Sequence, residues 1–100
     1  MKSNFKNIID TDTAVLIDFH ATWCGPCQTL APILEDIKSD FGDQIKLIKI
    51  DVDKNKPLAA QFGIRSVPTL MLFKNGDRLW RNSGLISKQD LTGIIKQYTV

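Results

Sequence analysis

Ala14-Val15-Leu16-Ile17-Asp18-Phe19-His20-Ala21-Thr22-Trp23-Cys24-Gly25-Pro26-Cys27 is the stretch that decides how the rest of the chain is read. Ala14 to Phe19 is a dense, β-branched apolar run interrupted by one carboxylate, the pattern of a strand buried on both faces. Where that run ends, a different period begins: Leu30, Ile33, Leu34, Ile37 and Phe41 recur at helical spacing. Cys24-Gly25-Pro26-Cys27 therefore sits at a strand-to-helix junction. Gly25 lets the backbone turn tightly, and Pro26 pre-sets φ for a first helical turn. Gly42 is placed to end this helix. Pro32 inside it predicts a kink, because proline lacks a backbone donor and its ring crowds the preceding turn.

Working towards the N-terminus, Asp10 to Thr13 is polar turn material. Phe5, Ile8 and Ile9 fall at i, i+3 and i+4, which predicts a short first helix with Ser3 as its N-cap. In the other direction, residues 45–52 read as a second apolar strand with Lys46 and Lys49 embedded in it. Pro57 and Gly63 bracket a short helix in the asymmetry helices prefer. Thr69-Leu70-Met71-Leu72-Phe73 is a third strand. Asn75-Gly76 then offers a tight hairpin turn into a fourth strand near 78–83. Ser87 and Asp90 resemble a capping box ahead of a last helix carrying Leu91, Ile94, Ile95 and Tyr98. Helices alternate with strands and the last two strands form a hairpin, so the fold class is α/β with a mixed sheet.

One hundred residues, with no repeat, linker or biased segment, predict a single domain over 1–100. At 43% hydrophobic and 24% charged, the chain has the composition of an ordinary globular domain, which argues against disorder. No apolar run approaches the ~18 residues of a membrane span, so no membrane association is expected. Met1-Lys2-Ser3-Asn4-Phe5 is too polar for a secretory signal, which leads to the expectation of a cytoplasmic protein. Thirteen Lys and Arg against eleven Asp and Glu leave a formal charge of +2, too little for a nucleic-acid footprint. No G-x-G-x-x-G occurs, so no dinucleotide cofactor is expected on this chain alone.

Two cysteines, Cys24 and Cys27, remain to be explained. As buried small hydrophobes they would be indifferent to position, yet Trp23 and Gly25-Pro26 surround them at the junction. A zinc site needs four ligands, and His20 is the one histidine beside the pair, so no metal is expected unless two chains share it. A purely structural disulfide would close a very small loop and restrict the unfolded chain little. A redox dithiol is the strongest reading, since Cys-x-x-Cys beside a βαβ pattern has a mechanism attached. Cys24 falls immediately before the helix, where free backbone N–H groups and the positive end of the helix dipole favour a thiolate. Such settings bring thiol pKa values to about 3.5–7.5 from about 8.5. Cys24 is accordingly expected to be the exposed attacking nucleophile. Cys27, one turn further in, is expected to be more buried and to resolve the mixed disulfide. Asp18, a carboxylate inside an apolar strand, would have a raised pKa and suit the acceptance of a proton from Cys27.

Trp23-Cys24-Gly25-Pro26-Cys27 is the active-site sequence of thioredoxins, and the chain is identified as resembling that family. Ile17-Asp18-Phe19, Leu30-Ala31-Pro32, Gly63-Ile64-Arg65-Ser66-Val67-Pro68-Thr69-Leu70 and Phe73-Lys74-Asn75-Gly76 are similar to the family's segments as well, so the likeness covers about residues 5–100. The resemblance implies the thioredoxin fold, an aspartate at Asp18 and a lysine near it at Lys49 that modulates its titration. It also implies a cis peptide before Pro68, with the backbone of Val67 pairing an extended substrate segment. Trp23, Gly25, Pro26, Val67, Pro68, Gly84 and Leu85 would then form an apolar rim around Cys24.

Three features depart from the family. His20 stands where most thioredoxins carry tryptophan, and a histidine there can alter pH dependence near the dithiol. Gln28 replaces the usual basic residue after the second cysteine. Only four residues precede Phe5, so the family's first strand is expected to be missing. That leaves a central sheet of about four strands flanked by helices, ordered 45–52, 14–20, 69–74, 78–83, with one edge more exposed. The implied activity is reduction of protein disulfides by a monomer recharged by thioredoxin reductase. The alternatives are a dedicated redox donor for one specialised partner and a non-redox accessory binding subunit.

Overall fold

The computed structural model describes residues 2–99, with side chains from residue 4 onward. Helix α1 (Lys2–Ile9) leads into β1 (Ala14–His20), and α2 (Gly25–Phe41) follows. A 3₁₀ turn (Gly42–Gln44) precedes β2 (Ile45–Asp51), and α3 (Lys56–Gln61) precedes β3 (Thr69–Lys74). Strand β4 (Asp77–Ser83) and helix α4 (Lys88–Thr99) complete the order. Ser3 lies inside α1 instead of capping it, because the helix starts one residue earlier; its side chain is outside the described residues.

The four strands form one sheet in the order β2-β1-β3-β4, as the family resemblance implies. β1 and β2 are parallel, while β1–β3 and β3–β4 are antiparallel, so the sheet is mixed. Asn75 (φ 54°) and Gly76 (φ 83°) both adopt positive φ at the β3–β4 turn, which explains why this pair makes the hairpin. The turn is also fastened from outside, by N–H donation from Asn75 to the Thr11 carbonyl (2.7 Å) and from Gly76 to the Ile9 carbonyl (3.0 Å). Further along, Leu72 faces Trp80 but Phe73 faces Arg78, so Leu79 is the extra residue of a β-bulge.

Because side chains alternate along a strand, β1 supplies both faces of the sheet. Ala14 and Leu16 join Leu30, Leu34 and Ile37 of α2 and Leu91 and Ile95 of α4 in one cluster. Val15, Ile17 and Phe19 join Phe5 of α1 and Leu58 of α3 in the other. Each fully buried Leu, Ile or Phe contributes about 1.5–3 kcal/mol relative to exposure. Helix α2 runs without interruption through Pro32, which deprives the Gln28 carbonyl of its usual donor. Ser87 starts α4 as the spacing suggests: its Oγ accepts the Asp90 N–H at 3.0 Å.

Candidate active site

The alternation that builds the core also assembles the site. Asp18 follows Ala14 and Leu16 onto the face of the sheet covered by α2, and His20 follows Asp18. On β2, Lys49 stands directly beside Asp18 in the parallel ladder, and Asp51 stands beside His20. Asp18, His20, Lys49 and Cys27 consequently line one small hollow of about 170 Å³. Asp18 is only 4% exposed, and its Oδ1 finds no hydrogen-bond partner among the described residues. Burial pushes its carboxyl pKa up, and the charges of His20 and Lys49 pull part of the way back down. No ion pair joins Lys49 to Asp18 among the described residues. The one present, Lys88 with Asp40 at 3.1 Å, lies elsewhere on the surface.

Cys24 is the N-cap of α2, and it is disulfide-bonded to Cys27 with Cα atoms 5.3 Å apart. The Cys27 N–H points at Cys24 Sγ, 3.1 Å away. This is one of the donors a helix start leaves unused, so negative charge on Cys24 Sγ has a ready partner. On the other side of Sγ lies the Val67 carbonyl oxygen at 3.5 Å. The Val67–Pro68 peptide is cis, as the family resemblance implies. Gly84 (φ 94°) donates its N–H to the Pro68 carbonyl at 2.9 Å, bringing the start of the β4–α4 connection against the same loop. Positive φ accounts for a glycine at that point.

One expectation is corrected here. Cys24 is not the exposed sulfur, since its residue is 3% accessible and that of Cys27 is 7%. With the disulfide closed, both pack with Ala21, and Val52 and Val67 cover them from outside. What distinguishes the two cysteines is position at the helix start, not exposure. Of the apolar residues expected around Cys24, Trp23 is 70% and Leu85 53% exposed. Gly25 and Pro26 are exposed beside Trp23, Val67 is half-buried and Pro68 buried.

Two residues that shape the site escaped the sequence reading. Asp53 accepts the Trp23 indole N–H at 2.8 Å, fixing the exposed ring from across 30 positions. Arg81 on β4 donates to the carbonyls of Phe62 (2.6 Å) and Gly63 (3.2 Å), tying down the chain that leads to Val67. No local spacing signals either contact, because both depend on where the sheet places distant segments. Among the described residues, no group of three His, Cys, Asp or Glu is arranged to hold a metal ion, and no helix is long and apolar enough to cross a membrane.

A reversible dithiol at a helix start, faced by a cis-proline loop on a mixed sheet, defines the class: a thiol–disulfide oxidoreductase. Comparison with known proteins gives the family. The thioredoxin family model matches residues 1–97. Thioredoxin of Haemophilus influenzae is 41% identical over 91 residues, covering 91% of this chain and 85% of its own. That of Rickettsia prowazekii is 43% identical over 90 residues, covering 89% and 86%. Among solved structures, Malassezia sympodialis thioredoxin superposes with a TM-score of 0.88 at 37% identity, covering 98% of this chain and 88% of that one. The oxidised form of mitochondrial thioredoxin 3 from Saccharomyces cerevisiae gives 0.86 at 31%, covering 96% and 89%. The chain belongs to the thioredoxin family, with Cys24 and Cys27 as its redox pair and protein-disulfide reduction as its activity.

Proposed function

We propose that Cys24 attacks the substrate disulfide and Cys27 resolves the resulting mixed disulfide. The observation that carries this order is the Cys27 N–H directed at Cys24 Sγ at the start of α2. A donor there stabilises a thiolate on Cys24 and not on Cys27. Cys24 thiolate forms a bond to one substrate sulfur and expels the other. Cys27 then loses its proton to Asp18, attacks Cys24 Sγ and releases the second substrate sulfur, leaving Cys24–Cys27 oxidised. Asp18 suits this part because it is buried with a free acceptor oxygen in the hollow that Cys27 also lines. Lys49 beside it tempers its titration.

Trp23, Gly25, Pro26, Val67, Pro68 and Gly84 form the docking rim in this reading. The Val67 backbone takes up an extended partner segment by strand-like pairing, and the apolar rim accepts varied side chains. Partners are disulfide-bearing proteins, with thioredoxin reductase and NADPH restoring the dithiol, in a reducing cytoplasm. The test is Cys27→Ser offered an insulin-type disulfide substrate. A covalent adduct through Cys24 is expected to accumulate and be seen by mass spectrometry. Its absence, with Cys24→Ser trapping an adduct instead, would reverse the two roles.

A further inference from the structure

The hollow between β1 and α2 holds a group for which the roles above have no use. His20 is two residues from Asp18 on one strand, so both side chains project from the same face of the sheet. Both line the same space of about 170 Å³ as Cys27 and Lys49. Asp18 is 4% exposed, whereas His20 at the strand end is more open to solvent. A buried carboxylate that takes a proton from Cys27 must lose it again before the next turnover. The free Oδ1 of Asp18 has no partner among the described residues through which to do so. Imidazole is suited to that transfer, because it accepts a proton on one nitrogen and gives one from the other within the physiological range.

We propose that His20 is a positioning residue acting through Asp18: it receives the proton that Cys27 gives to Asp18 and passes it to solvent. The proposal rests on the assignment of Asp18 as proton acceptor made above. Cys27 Sγ–H gives its proton to Asp18, and Cys27 thiolate bonds to Cys24 Sγ while the bond from Cys24 to the substrate sulfur breaks. The departing thiolate carries the electron pair away, Asp18 passes its proton through water in the hollow it shares with His20 to the imidazole, and the imidazolium returns it to solvent. No further oxidant or reductant enters.

The charged and titratable groups around this path are few. β1 brings Asp18 and His20, β2 brings Lys49 beside Asp18 and Asp51 beside His20, and α2 brings Cys27. Asp51 Oδ1 is engaged by the Asp53 N–H at 2.8 Å. β3 sets apolar Leu70 opposite Asp18. His20 is thus the proton carrier placed between the buried carboxylate and the open end of the strand. While it carries the proton, its positive charge favours the ionised form of Asp18, in the same direction as Lys49.

The experiment isolates the resolving step. Reduced protein mixed with one equivalent of 5,5′-dithiobis(2-nitrobenzoate) releases a first coloured thiolate when Cys24 attacks and a second when Cys27 resolves. The rate of the second release is followed against pH in the unaltered protein, His20→Gln and Asp18→Asn. In His20→Gln the acid limb is expected to move up by roughly one pH unit, slowing the second release about tenfold on that limb. Free imidazole in the buffer is expected to restore the rate in His20→Ala, which a packing defect would not allow. A His20→Gln profile that coincides with that of the unaltered protein, while Asp18→Asn loses the limb, overturns the role of His20 alone. An Asp18→Asn protein that keeps the limb overturns the assignment of Asp18, and that of His20 with it.

Discussion

Asp18 shows how one side chain can trade stability for chemistry. Its pKa is raised in the folded state, first by burial. A carboxyl raised in this way adds stability while it keeps its proton, below the unfolded value of about 3.9. That contribution is lost as pH rises through the folded value, and above it the ionised group sits largely buried with one oxygen lacking a partner. Asp18→Asn should therefore stabilise the oxidised protein at alkaline pH by about 1–3 kcal/mol, with the gain shrinking as pH falls through the folded pKa of Asp18 and absent below about pH 4. Urea denaturation at the two pH values measures it, and an equal gain at both would show that ionisation is not the cause. The sequence disclosed this residue because the apolar run around it in Ala14–Phe19 argues against a carboxylate that faces solvent at a strand end. It could not disclose the accessibility of Cys24. That depends on Val67, 43 positions away, folding over the sulfur.

At the level of elements, local chemistry and local structure agree closely. Asn75-Gly76 makes its hairpin turn, and the buried stripe of α2 falls on Leu30, Leu34, Ile37 and Phe41. The Ser87 hydroxyl caps α4 by accepting a single N–H. Ser87→Ala should cost about 1 kcal/mol, lowering the urea midpoint with an unchanged slope. The strand order was legible only through the family resemblance, whereas the β3–β4 hairpin was legible from its own turn. The contacts that escaped were those between elements. Arg81 reads as one more charge on an outer strand until β4 is seen beside the end of α3, where its guanidinium meets two backbone carbonyls. The bulge at Leu79 likewise leaves no mark in the alternation of a strand that is exposed or half-buried along its length.

Taken whole, the molecule gathers its chemistry at one end of the sheet and fastens the other. The dithiol, Asp18, His20 and the Val67 loop lie at one end of the strands, while Asn75 and Gly76 are tied to Thr11 and Ile9 at the opposite end. Among the described residues β2 is an edge strand, and it carries exposed Lys46 and Lys49. Charges of this kind keep an open edge from pairing with another copy. Lys46→Val should promote concentration-dependent association, measured by sedimentation velocity, whereas the unaltered chain keeps one sedimentation coefficient across the same range. The burial of Cys24, 3% accessible beneath Val67 and beside Trp23, reaches beyond this one molecule. Under the roles proposed here, a disulfide on a segment free to straighten reaches the sulfur, while one locked in a rigid domain stops at the rim. Partners are then ranked by how readily their own backbone yields.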